Sequence, residues 1–155
     1  MLRRALQPDD AYYIMKNAPE AWRIPLSELL LEIIVKEAEY SYRTLLYTRN
    51  LSAEERKLLL EAILKDTAYS YETLLRVPDL SDNERKLLVE TVAGGDSAYY
   101  SYHTLLKVRN ISAEQRQLLV EAVAKSAQQF SPYVLLYVHN LSEEQKALLK
   151  KACSQ

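Results

Sequence analysis

The sequence predicts an all-α protein, a right-handed α-solenoid of stacked helical hairpins with a repeat of about 30 residues. Three observations predict it. The stretch RNLSAEERKLLLEA, beginning at Arg49, returns as PDLSDNERKLLVET, RNISAEQRQLLVEA and HNLSEEQKALLKKA. Placing Ser41, Ser70, Ser101 and Ser131 in one register aligns most of the remaining chain, with steps of 29, 31 and 30 residues. Leu, Glu, Lys, Arg and Ala dominate, and the 2 glycines, Gly94 and Gly95, are adjacent, which favours helix over a turn-rich β chain.

The first half of each unit carries a tyrosine column, Tyr40, Tyr69, Tyr100 and Phe130, then Tyr42, Tyr71, Tyr102 and Pro132, then the leucine pairs Leu45-Leu46, Leu74-Leu75, Leu105-Leu106 and Leu135-Leu136. Tyr42, Leu45, Leu46 and Arg49 share one helical side, and Ser41 is a small flank that another helix can approach closely. In the second half, Leu58, Leu59, Ala62 and Ile63 form an apolar stripe, with Glu54, Lys57 and Glu61 largely away from it. Each unit is therefore a helical hairpin packed through its leucine columns, and hairpins of this length stack into a solenoid.

The helix boundaries are written in the joints. Ser52, Ser81, Ser112 and Ser142 are followed three residues later by Glu55, Glu84, Gln115 and Gln145, a capping box repeated in every unit. Asn50, Asp79, Asn110 and Asn140 close the first helices, because Asn tolerates left-handed backbone. Asn-x-Ser is then a helix stop two residues before a helix start, rather than a glycosylation acceptor. Gly94-Gly95 is read as a helix end with a slightly longer turn, a tolerated insertion rather than a hinge.

One solenoid domain is expected over residues 1–155. Residues 1–36 form a divergent N-terminal hairpin or cap, and 37–65, 66–95, 96–125 and 126–155 are repeats, the last a C-terminal cap. LLLEIIVK in the first segment matches LLLEAILK at a 29-residue offset, although Pro19 and Pro25 disturb what precedes it. At the other end Lys150 replaces Leu60, Val89 and Val120, as a terminal face requires, so the array is expected to be complete as given.

These residues resemble tandem tyrosine-rich helical repeats of the D-x-x-Y-x-Y-x-x-L and L-S-x-x-E-R-x-L-L-x-E-A kind, found in bacterial, phage and giant-virus proteins, mostly without an assigned function. The resemblance covers residues 37–155. The chain is more loosely similar to HEAT-like solenoids, which implies macromolecular binding. The tetratricopeptide pattern and the ankyrin TPLH signature are absent.

Composition narrows the chemistry. A formal charge of -1 with mixed signs gives no net field for unselective nucleic-acid binding. Cys153 is the single cysteine, so this chain builds no internal disulfide or cysteine metal cluster, and a reducing cytoplasm fits. MLRRALQPDD has a basic start but only a short, interrupted apolar run, and no later segment approaches a membrane span. His103 and His139 fall in different columns without metal-ligand spacing, and two glycines make no phosphate loop. The capping serines already have a role, and glutamates recurring once per hairpin describe a solvated surface. No enzyme, cofactor or metal is expected.

One constellation remains. Positions 40, 43, 44 and 47 of the first helix are expected to lie opposite the leucine pair and to stack into one face. They read Tyr40, Arg43, Thr44, Tyr47; Tyr69, Glu72, Thr73, Arg76; Tyr100, His103, Thr104, Lys107; and Phe130, Tyr133, Val134, Tyr137. A constant tyrosine framework beside varied neighbours suits recognition of a protein or peptide, with Arg76 and Tyr47 the expected hot spots. The constant tyrosines have a second reading, as wedges between neighbouring first helices. The alternatives from other classes are nucleic-acid binding along a basic and aromatic stripe (Arg43, Arg49, Arg76, Lys107, Arg109, His139) and a self-assembling scaffold or mobile-element inhibitor or immunity protein.

Overall fold

The computed structural model describes residues 5–126 and 129–155; the basic start at residues 1–4 lies outside them. The described residues form ten α-helices and no strand: α1 (Pro8–Asn17), α2 (Glu20–Ile34), α3 (Ala38–Tyr47), α4 (Ala53–Ile63), α5 (Thr67–Arg76), α6 (Asp82–Gly94), α7 (Ala98–Lys107), α8 (Ala113–Lys125), α9 (Ser131–Tyr137) and α10 (Glu143–Cys153). They divide into two compact units, Met1–Tyr69 and Ser70–Gln155, the boundary falling within α5.

Each unit is a stack of helical hairpins. In the first, α1 packs on α2 and α3 on α4, while α1 also lies against α3 and α2 against α4. In the second, α7 packs on α8 and α9 on α10, α7 also meets α9, and the second helices α6, α8 and α10 follow one another. The divergent N-terminal segment is a complete hairpin. Its equivalence to the others is visible at the end of α1, where the Ala18 N–H returns to the Ile14 carbonyl as Thr48 returns to Thr44 and Val108 to Thr104.

All four capping boxes are formed. In α8 the Gln115 N–H donates to Ser112 Oγ at 3.1 Å and the Ser112 N–H donates to Gln115 Oε1 at 3.1 Å, and the same pair of bonds opens α4, α6 and α10. Ser112→Ala is expected to cost ~0.5–2 kcal/mol, read as a lower urea midpoint. The joints before these caps use left-handed backbone at Asn50, Asn110 and Asn140, with φ of 58°, 63° and 65°. Asp79 does not share this conformation: Pro78 fixes its own φ and turns the chain by another route.

The second helices bury a stripe rotated by one position from the expected one. Leu59, Leu88, Leu119 and Leu149 are fully enclosed, joined by Leu60, Val89 and Val120 and by Ile63, Val92 and Val123. Leu58, Leu87 and Leu118 are exposed instead. Three successive apolar residues sweep about 200° of a helix, more than one contact covers. The side turned to the next hairpin takes the third residue, and Lys150 in that column is exposed. The first-helix pairs divide likewise: Leu45 and Leu74 are buried, whereas Leu75, Leu106 and Leu136 are exposed.

The serine column lets helices approach closely. Ser41, Ser70, Ser101 and Ser131 are buried. Ser41 Oγ lies 3.3 Å from the Ile34 carbonyl, and Ser101 Oγ lies 3.4 Å from the Val92 carbonyl, so a first helix is tied to the end of the preceding second helix. Gly94 ends α6 without left-handed backbone, and a Cβ there meets nothing within 4 Å. Gly94→Ala is therefore expected to raise stability by ~0.4–1 kcal/mol in the same urea measurement.

Candidate functional site

The first-helix face is narrower than the sequence suggests. Thr44, Thr73, Thr104 and Val134, expected on it, are fully buried. They stand three residues after the buried serine, on the same stripe as Leu45 and Leu74. Of the expected positions, 47 and its equivalents are exposed in all four units, while at 43 and its equivalents Arg43 and Tyr133 are exposed and Glu72 and His103 are half-buried.

The tyrosine columns meet each other between repeats. Tyr42 faces Tyr69 with ring centroids 5.8 Å apart, Tyr71 faces Tyr100 at 5.6 Å, and Tyr102 stacks on Phe130 at 5.6 Å. Tyr12 and Tyr40 continue the pattern at 6.1 Å. Packing of this kind gives the type of Tyr40, Tyr69 and Tyr100 a structural cause. Burial, followed by nearby carboxylates, raises the phenols of Tyr40, Tyr69 and Tyr71, and Glu39 accepts a hydrogen bond from Tyr69, so these rings stay protonated near neutral pH.

Two of the expected recognition cations are held by their own helices. Arg43 pairs with Glu39 at 2.7 Å and Arg76 with Glu72 at 2.9 Å, each four residues apart, and the Arg43 guanidinium sits 5.7 Å from the Tyr40 ring centre. Such pairs contribute ~0.2–0.5 kcal/mol to a helix and leave little free charge. Tyr133 is exposed, near Tyr102 at 6.2 Å.

His103 lies between Tyr99 at 4.2 Å and Tyr102 at 4.8 Å, and its buried Nδ1 has no hydrogen-bond partner among the described residues. Burial, helped by Lys107, pushes its pKa below the ordinary 6.5. As pH falls below 6.5 the unfolded chain takes up this proton before the folded one does, so the protein loses stability until pH passes below the folded-state value. The loss of thermal midpoint across that window should be smaller in His103→Gln than in wild type.

A different feature gathers exposed charge. Where successive first helices end, the joints and the start of the second helix enclose repeated cradles. In the second unit, one of about 280 Å³ is lined by Leu75, Val77 and Pro78 together with Arg85, Lys107 and Arg109. The next, of about 250 Å³, is lined by Leu106, Val108 and Ile111 together with Arg109, Arg116, Tyr137 and His139. They adjoin, sharing Val108, Arg109 and Asn110. No carboxylate lines either one. The first unit has its own cradle of about 320 Å³, with Lys16, Arg23, Tyr47, Arg49 and Asn50, but Glu20 lines it as well.

The left-handed asparagines build these sites. Backbone reversing at Asn110 and Asn140 turns the joint outward, and Arg116 Nη1 donates to the Asn140 carbonyl at 2.7 Å, so this guanidinium is fixed across the joint. Arg85, Lys107 and Arg109 make no ion pair among the described residues. Four full positive charges thus line two adjoining cradles in a chain whose formal charge is -1.

Of the residues expected on the recognition face, Tyr47, Lys107 and Tyr137 line cradles, all from one column, and of the alternative basic and aromatic stripe Arg49, Lys107, Arg109 and His139 do. Arg43, Glu72, Arg76 and Tyr133 are on none of the three, and Tyr40, Tyr69, Tyr100 and His103 belong to the aromatic packing. The second-helix cations Arg85 and Arg116 were not singled out. Their signal is in the alignment: a basic residue follows every capping serine by four, at Arg56, Arg85, Arg116 and Lys146.

Comparison of the chain with family models, with curated proteins and with solved structures gives no match. No helix among the described residues is long and apolar enough to cross a membrane.

Proposed function

We propose that the protein is a non-catalytic binding module that recognises an extended acidic segment of a protein or peptide, along the joints of its second unit. One observation carries the reading: two adjoining cradles lined by Arg85, Lys107, Arg109 and Arg116, with no carboxylate in their lining. Neighbouring helices stand ~8–10 Å apart, and an extended chain rises ~3.3 Å per residue, so one carboxylate every third residue matches the step between cradles. The exposed Leu75 and Leu106 then suit apolar side chains placed between the acids.

The phosphate backbone of a single-stranded nucleic acid is the second reading, favoured by the same charges. A nucleic-acid groove needs faces on which bases stack, and these two cradles offer the rings of Tyr137 and His139, both in one of them. The reading as a peptide site is tested by titrating a Glu-Leu-Ser repeat peptide and, in parallel, an oligothymidylate of equal charge, at low and high salt. Saturable binding of the peptide that weakens with salt, and tighter than that of the oligonucleotide, is expected. Preference for the oligonucleotide would transfer the site to nucleic acid, and binding of neither would refute both.

A further inference from the structure

We infer that the cradle of the first unit is a phosphate-monoester site built around the buried guanidinium of Arg23. It stands apart from the acidic-peptide reading, since it lies in the other unit and uses none of the cations invoked there.

The repeat register makes Arg23 exceptional. LLLEIIVK of α2 aligns with LLLEAILK of α4 at a 29-residue offset, so Arg23 falls in the column of Ser52, Ser81, Ser112 and Ser142. Those serines are exposed and cap their helices. Arg23 is 6% exposed and takes no part in a cap, because α2 already begins at Glu20. Only Ala18 and Pro19 separate α1 from α2. The extra turn that α2 gains by starting early brings Glu20 and Arg23 into the cradle, beside Tyr47, Arg49 and Asn50 from the end of α3.

A buried guanidinium is costly unless its donors are paired. Among the described residues the one charged partner of Arg23 is Glu20, whose Oε1 lies 3.7 Å from Nη2, beyond hydrogen-bond reach. That carboxylate is itself 60% exposed, and its Oε1 accepts a 3.4 Å bond from Asn50 Nδ2. The side chain of Arg23 makes no hydrogen bond among the described residues, so its planar fork has donors to give to a ligand in the cradle it lines.

The class of ligand follows from charge and geometry. Lys16 and Arg49 also line the cradle, are exposed and make no ion pair among the described residues; Lys16 Nζ sits 4.8 Å from the Tyr47 ring centre. Three cations against one carboxylate leave a surplus that a single carboxylate ligand would not balance. A phosphate monoester carries about −1.5 to −2 at neutral pH and accepts two parallel N–H bonds from a guanidinium. The cradle, of about 320 Å³, has room for the phosphate and the start of its alcohol. Exposed cations elsewhere are screened by water and salt, whereas a buried one acts through a lower dielectric, which favours this cradle for a compact dianion. A free monoester and a phosphorylated side chain present the same group.

Amide chemical-shift titration of the ¹⁵N-labelled chain tests this with three probes: glycerol-2-phosphate, a Gly-phosphoserine-Gly peptide and the unphosphorylated peptide. Both phosphorylated probes should give saturable shifts at Lys16 through Arg23 and Tyr47 through Asn50, and the tighter of them assigns the source; the unphosphorylated peptide should give none. Arg23→Lys keeps the charge but loses the fork, and should weaken binding about tenfold. Lys16→Gln and Arg49→Gln, at exposed positions that folding does not depend on, should each weaken it about threefold. Glu20→Gln removes the competing carboxylate and should tighten it by a similar factor. Absence of saturable shifts with either phosphorylated probe, shifts centred on Lys107 through Asn110, affinities unchanged in Lys16→Gln and Arg49→Gln, or weaker binding in Glu20→Gln would each overturn the inference.

Discussion

Leu88→Ala is expected to cost ~2–5 kcal/mol, while Leu87→Ala, one residue earlier, should cost under ~1 kcal/mol. Leu88 is fully enclosed in α6, and truncating it leaves a cavity between that helix and its neighbours. Leu87 is 36% exposed and loses only part of its contact. Against a typical domain stability of ~5–15 kcal/mol the first change is a large fraction of the whole, so the urea midpoints of the two variants should separate clearly. Equal costs, or the reverse order, would mean that α6 is turned by one residue from the orientation described.

Arg109→Glu is expected to weaken binding of the Glu-Leu-Ser peptide by ~2 kcal/mol, about 30-fold, without changing the fold. Arg109 is exposed, makes no ion pair among the described residues and lines both cradles of the second unit, so one substitution makes both far less positive. The loss should be greatest at low salt, since exposed charges are screened beyond about 8–10 Å at ordinary ionic strength. Arg76→Ala is the internal comparison. That guanidinium is held by Glu72 and lines neither cradle, so its removal should leave the affinity within about twofold.

The hairpin architecture was legible because it is written several times in short-range chemistry. Capping boxes depend on residues three apart, and all four form as the sequence predicts. Buried and exposed columns were harder to separate, since Leu58, Leu59 and Leu60 are alike in type and differ only in which neighbour covers them. The same limit explains Thr44: a small polar residue on a helix that reads as amphipathic looks solvated until another helix is packed over it. Tyr69 and Tyr100 were singled out for their constancy, which the ring contacts with Tyr42 and Tyr71 explain by packing. The cradles were partly visible, through Tyr47, Lys107 and Tyr137 and through Arg49, Arg109 and His139 of the alternative stripe. Arg85 and Arg116 come from the second helices, and only the packing of neighbouring hairpins brings them beside the joints.

The most direct test of the proposed peptide site is an amide chemical-shift titration of the ¹⁵N-labelled chain with the Glu-Leu-Ser repeat peptide. Saturable shifts are expected at Lys107 through Asn110, at Arg85 and Arg116, and at Val138 through Asn140, around the two adjoining cradles. Shifts confined to the outward faces near Arg43 and Arg76, or no saturable shifts at all, would contradict it.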